Sequence, residues 1–259
     1  MNTTLNPRRI GILMRHDIQT NMKSLLSAAG TIASIVVVLF ILASWTSDPG
    51  ESLTDFHGSL FLNFLLIGGY VVSSVAFTQM HEPTKGIHYM MLPGSTVEKY
   101  LARLLLTSIG WSALVLVVYT AATVVATAIA TPIFSQTPGV FLPIGREVWS
   151  GVASYLVSQS IFLFGSIYFK KTAFFKTVLV VWATAMVLGL VYALAARIAF
   201  APAFVGLFEA QNFESVFQMN PATEQLLDTL GTVGRVAGWA VTPLFFWTVG
   251  LLRLRETEV

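Results

Sequence analysis

Residue types that do chemistry are scarce in this 259-residue chain, and their spacing does not gather them into a site. The histidines are His16, His57, His81 and His88. His81-Glu82 begins like the HExxH of a zinc protease, but Pro83 follows and no second histidine stands at the required place. His81 and His88 are seven residues apart and share no ligand set, and Asp55 with His57 is an equally weak pair. No GxxxxGK[ST] phosphate loop and no GxGxxG fingerprint occurs, so the chain has no such route to nucleotide hydrolysis. The absence of cysteine removes disulfides, thiolate metal ligands and cysteine nucleophiles together. An intramembrane lipid-modifying enzyme would need a convergent acid, base or nucleophile, and none is visible. The expectation is a non-enzymatic chain with no catalytic residues, no metal site and no cofactor of its own.

The elements that position these few groups are read from charge. Hydrophobic residues make up 55% of the chain and charged residues 11%, with a mean hydropathy of +0.73, whereas a soluble domain carries about 25% charged residues. Charge is absent from Ser24 to Ser47, Phe56 to His81, Leu104 to Gly145, Val148 to Phe169, Thr177 to Ala196 and Val236 to Leu252. A spanning helix needs roughly 17 to 25 apolar residues, so each tract holds one. This predicts an all-α membrane protein, a single transmembrane domain over 1–259, with spans at about 25–45, 58–79, 104–130, 148–169, 177–196 and 236–252.

Orientation follows from the basic residues. With the N-terminus inside, Arg8, Arg9, Arg15, Lys23, Lys85, Lys99, Arg103, Lys170, Lys171, Lys176, Arg253 and Arg255 are cytoplasmic. Only Arg146, Arg197 and Arg235 are outside. Both termini are therefore expected inside. A cleaved signal peptide is the competing reading of the first span; its leading region would be too long, would contain Asp17, and would end in a poor cleavage site near Ala43 to Thr46.

Asn6 and Pro7 give a helix start, and Ile10, Leu13, Met14, Ile18 and Met22 recur at helical spacing. Residues 7–23 therefore read as an amphipathic helix in the inner interface, with cations toward anionic lipid. Gly68, Gly69, Ser73 and Ser74 give the second span a small-residue face. In the region 81–103, Pro93 and Gly94 break a short helix or turn, and Ser95 with Glu98 has capping-box spacing. Pro132, Pro138 and Pro143 argue against helix in the outer loop 131–147, and Lys170 to Lys176 is a tight inner connection. In the apolar outer stretch 198–231, a helix restarting at Asn220-Pro221 has Leu226, Leu227 and Leu230 on one face. The stretch reads as two short helices, either re-entrant or lying on the outer surface. The spans carry no ionisable residue, only small polar groups with Gln79 and Gln159 toward span ends, which disfavours ion-coupled transport and a charged channel ring.

Met91-Leu92-Pro93-Gly94-Ser95-Thr96-Val97-Glu98-Lys99-Tyr100 resembles the LPxSxxEK passage of a bacterial branch of ABC-2 type ABC transporter permeases. Phe162-Leu163-Phe164-Gly165-Ser166-Ile167-Tyr168-Phe169-Lys170-Lys171, the following Phe175-Lys176-Thr177, and the charged end Leu254-Arg255-Glu256-Thr257-Glu258-Val259 resemble the same branch. The resemblance implies a six-helix permease in the bacterial cytoplasmic membrane, paired with a second copy or paralogue. It also implies cytoplasmic ATPase subunits that hold the ATP and magnesium, and no nucleic acid. The loop between spans two and three would be the coupling helix, with Glu82, Lys85, His88, Tyr89 and Met90 facing the ATPase and Pro93, Ser95 and Glu98 fixing the angle into span three. Lys170, Lys171 and Lys176 are a second inner contact or an anchor to anionic lipid. The rival from another class is a non-transporting membrane scaffold or sensor subunit.

Overall fold

The computed structural model describes residues 5–46, 54–82, 91, 94–134, 139–199 and 221–257, and among these every regular element is helical. In chain order they are α1 (Pro7–Thr20), α2 (Met22–Thr46), α3 (Thr54–Asn63), α4 (Gly69–Val75), α5 (Thr96–Leu105), α6 (Trp111–Phe134), α7 (Arg146–Tyr168), α8 (Ala173–Ala199) and α9 (Pro221–Thr257). A π-helical turn, Phe64–Gly68, joins α3 to α4, and a second, Leu106–Gly110, joins α5 to α6. Among the described residues, five helices are long and apolar enough to cross a membrane: Met22–Thr46, Phe56–His81, Thr96–Phe134, Arg146–Tyr168 and Ala173–Ala195. The chain is a multi-pass, all-helical membrane protein.

Several boundaries depart from the sequence expectation. Pro132 lies inside α6, which continues to Phe134; a proline this close to a helix end removes one hydrogen bond where the ladder is about to stop. The helix that Pro221 starts does not end before the stretch 236–252. It runs unbroken for 37 residues to Thr257, past Gly231, Gly234 and Pro243, so the second short outer helix is not a separate element. A helical glycine costs about 1 kcal/mol, too little to stop a helix that gains a hydrogen bond with each added residue. Of the outer stretch that opens at Ile198, Ile198 and Ala199 are the last residues of α8, and 200–220, Asn220 included, lie outside the described residues. The connection before α8 is 169–172, shorter than Lys170 to Lys176, because α8 already includes Lys176.

The chain divides into two units, residues 1–174 with 243–259, and residues 175–242. In the first unit α2 packs along α6 and α4 along α7. Val36, Phe40, Phe61, Leu65, Trp111, Val115, Tyr119 and Tyr155 form its main core. Phe77, Tyr100, Leu163, Ile167 and Leu254 form a smaller cluster, which brings the C-terminal end of α9 to the same end of the unit as α5. In the second unit α8 exposes Leu179, Trp182, Met186, Val187, Leu190 and Tyr192 around its circumference, the surface of a helix that sits in apolar surroundings.

Candidate functional site

The site begins with two helix caps. Asn6 caps α1 by accepting the Arg8 amide at 3.0 Å, with Pro7 as the first helical residue. Ser95 caps α5, its hydroxyl accepting the Glu98 amide at 3.3 Å while the Glu98 carboxylate accepts the Ser95 amide at 2.9 Å. The other carboxylate oxygen of Glu98 accepts the backbone amide of Asn6 at 3.0 Å. One carboxylate thus serves the positive N-terminal ends of two helices and holds α1 against α5.

Helix Thr96–Phe134 has 39 residues, about 58 Å at the α-helical rise and roughly twice the bilayer hydrocarbon thickness. Glu98 precedes the charge-free tract that opens at Leu104 and lies outside the hydrocarbon. Its pKa is held below the ordinary value of 4.5, first by the Ser95 amide and then by the Asn6 amide, with Arg9 adding attraction and burial opposing.

Five residues further on, the buried Arg103 ties three elements together. Its Nε lies 3.5 Å from the Asp17 carboxylate of α1. Its Nη1 donates to the Ala76 carbonyl, and its Nη2 donates to the Gln79 side-chain oxygen at 3.2 Å. Ala76 follows the last residue of α4, where carbonyls lose their intrahelical donors, so the guanidinium supplies what the helix end lacks. Arg103 also stands over the Phe77 ring, 5.3 Å from its centroid, and Phe77 stacks on Tyr100. His81 Nε2 is 3.3 Å from the Ser166 carbonyl, linking α7 to the same end when that nitrogen carries the proton.

The second π-turn begins three residues beyond Arg103, and the first lies at the far end of α4 from Ala76. The Trp111 amide donates to Leu106 and Ser108 and passes over the Thr107 carbonyl, which an α-helix would have paired with it. The Tyr155 hydroxyl takes that carbonyl at 2.6 Å. Gln159, one turn along α7, donates to the Thr107 hydroxyl at 2.8 Å. The Trp111 indole in turn donates to the Leu65 carbonyl of the first π-turn at 3.1 Å. Gly68 and Gly69 make this possible, because a β-carbon at either would overlap the Trp111 or Tyr155 ring.

Of the residues singled out from sequence, Ser95 and Glu98 are brought together as predicted by their spacing, and onto α1 as well. Glu82 is exposed. Lys85, His88, Tyr89, Met90 and Pro93 lie outside the described residues. Lys170 and Lys171 are exposed in the connection before α8, and Lys176 is exposed in the first turn of that helix. Gln159 is not toward a span end: it is fully buried in the middle of α7. Sequence reasoning missed Asp17, Arg103 and Thr107 as a connected set. The available signals were a lone acid among the cations of α1 and a glutamine in an otherwise apolar tract. No protein-family model matches the chain, and no curated protein matches it either.

Proposed function

We propose that this chain is the membrane-spanning permease subunit of an ATP-driven ABC transporter of the ABC-2 type, moving a hydrophobic or amphipathic substrate outward across a bacterial cytoplasmic membrane by alternating access. The observation that carries the reading is the joint made by Glu98 and Arg103. A separate ATPase needs a stiff receiving element, and α5 is one, since its capped start is bonded to α1 and Arg103, third from its end, is anchored on the end of α4. Force applied to the loop before Ser95 would pass through α5 into the third span, through Glu98 and Asp17 into α1 and the first span, and through Arg103 into the second. The second π-turn begins three residues beyond Arg103, and the first lies at the far end of α4 from Ala76. Glu82, Lys85, His88, Tyr89 and Met90 are the proposed ATPase-facing residues, with a second contact at Lys170, Lys171 and Lys176. ATP and magnesium belong to the partner, and a second permease copy or a paralogue completes the translocation path.

Copurification from membranes tests this. Wild-type chain is expected to bring down an ATP-binding-cassette ATPase, and Tyr89→Ala or Glu82→Lys to release it. ATPase binding retained by both variants would overturn the coupling assignment. No ATPase with the wild type would overturn the permease reading in favour of a scaffold or sensor.

A further inference from the structure

Beside the Asp17–Arg103 bridge lies a cavity of about 360 Å³, enclosed by the α1–α2 corner, α4 and the start of the third span. Its lining is polarised. Asp17, Asn21, Ser24, Gln79 and Arg103 stand at one end, and Val72, Leu106, Trp111 and Leu114 carry the wall away from them. Along the third span the lining runs from Arg103 to Leu114, about 16 Å at the helical rise. That is roughly half of a 30 Å hydrocarbon core, so the cavity has the depth of one leaflet and its polar end sits where the charge-free tract begins. Ile18 and Val75 are also in the lining and are 42% and 56% exposed, which turns the mouth sideways toward lipid rather than toward water.

The chemistry of the polar end selects a head group. Three guanidinium nitrogens of Arg103 are engaged by Asp17, Ala76 and Gln79, so an anionic head would have to displace the Asp17 carboxylate. The Asp17 carboxylate and the Gln79 oxygen favour a head that donates hydrogen bonds. We propose that this cavity binds one acyl chain of a phospholipid from the leaflet it faces, with a donor-bearing head such as ethanolamine at Asp17 and Gln79. The chain would lie against Leu106, Thr107, Gly110 and Trp111, and so would brace the second π-turn. This rests only on the membrane-spanning character of the chain, not on the ABC assignment.

Trp111 provides the probe, because it is 4% exposed and yet lines the cavity. Full-length protein in which Trp45, Trp149, Trp182, Trp239 and Trp247 are replaced by Phe would be reconstituted in vesicles of phosphatidylethanolamine with brominated acyl chains. A second protein keeping only Trp182, which is 66% exposed, reports ordinary contact with lipid. Trp111 is expected to be quenched comparably to Trp182. Gly110→Leu should abolish the Trp111 quenching and leave that of Trp182 intact, since a β-carbon at Gly110 meets nothing closer than 3.6 Å and the added side chain fills the cavity. Ala76→Leu fills it from the opposite wall and guards against a misfolded first variant. An unquenched Trp111 in the otherwise native cavity, or quenching that survives both filled variants, would overturn the proposal. Brominated phosphatidylcholine, whose head has no ammonium proton, should quench Trp111 less; equal quenching would overturn the head-group assignment.

Discussion

Thr107 is held by two residues of α7 in two different ways. Its carbonyl accepts Tyr155 and its hydroxyl accepts Gln159. In the apolar interior of a membrane protein an unmet carbonyl has no water to turn to, so Tyr155→Phe removes little volume but strands a polar group. A loss of about 1 to 3 kcal/mol is expected, read as a lower melting temperature in detergent, with Tyr155→Leu no better. Glu98 makes a different prediction because its carboxylate titrates outside the hydrocarbon. Its pKa in the folded chain lies below the ordinary 4.5, so its contribution is fully present above that ordinary value and is lost as pH falls through the depressed folded value. Hydrogen exchange at the amides of Asn6 and Ser95 should accelerate over that window, and Glu98→Gln should reproduce the fast exchange at neutral pH.

At the scale of the helices, the π-turns set the register. Each adds one residue relative to a continuous α-helix, and deleting the exposed Ile109 puts Leu106 four residues before Trp111, the α-helical spacing, so the Trp111 amide keeps the Leu106 carbonyl it already bonds and the bulge closes with both flanks in place. The Thr107 carbonyl would then be paired with the Ser112 amide at the same spacing, and would no longer depend on the Tyr155 hydroxyl. The expected outcome is a folded chain in which Tyr155→Phe no longer lowers the melting temperature, while Ile109→Ala stays within about 0.5 kcal/mol of the parent. Five of the six charge-free tracts fall in helices long and apolar enough to cross a membrane, and both caps were legible from Asn6-Pro7 and Ser95 with Glu98, because those signals are local. The π-turns were not. Phe64–Gly68 and Leu106–Gly110 each end in a glycine, a weak point in a helix but not a sign of a π-turn, and the bulges are fixed by side chains arriving from 46 and 48 residues away. The pair Gly68 and Gly69 marked close packing but not what would pack there. Arg103 read as a boundary cation because its partners, Asp17 and the Ala76 carbonyl, are meaningful only once α1 and α4 are in place.

For the molecule as a whole, Leu254 packs with Tyr100, Phe77, Leu163 and Ile167, and α1 is bonded to α5. The helices that carry the two termini therefore meet at one end of the first unit, which also holds Lys99, Arg103 and Arg253. The lack of cysteine makes topology directly measurable, since any introduced thiol is the sole target. Arg8→Cys, Lys170→Cys and Glu256→Cys should react with an impermeant maleimide only in inside-out vesicles, and Arg146→Cys only in right-side-out ones. Labelling of Glu256→Cys on the side opposite Arg8→Cys would exclude an even number of crossings.

The paired π-turns also have a mechanical consequence. An extra residue in a helix is a line defect of the kind that lets a metal crystal shear one row at a time. It can glide along the axis by exchanging hydrogen bonds singly, turning the helix beyond it without unfolding any turn. Trp111 and Tyr155 act as pinning points for two such defects in adjacent helices. The third span thus pins the defect in the second, and α7 pins the defect in the third, so a turn of either span has to break a hydrogen bond to its neighbour.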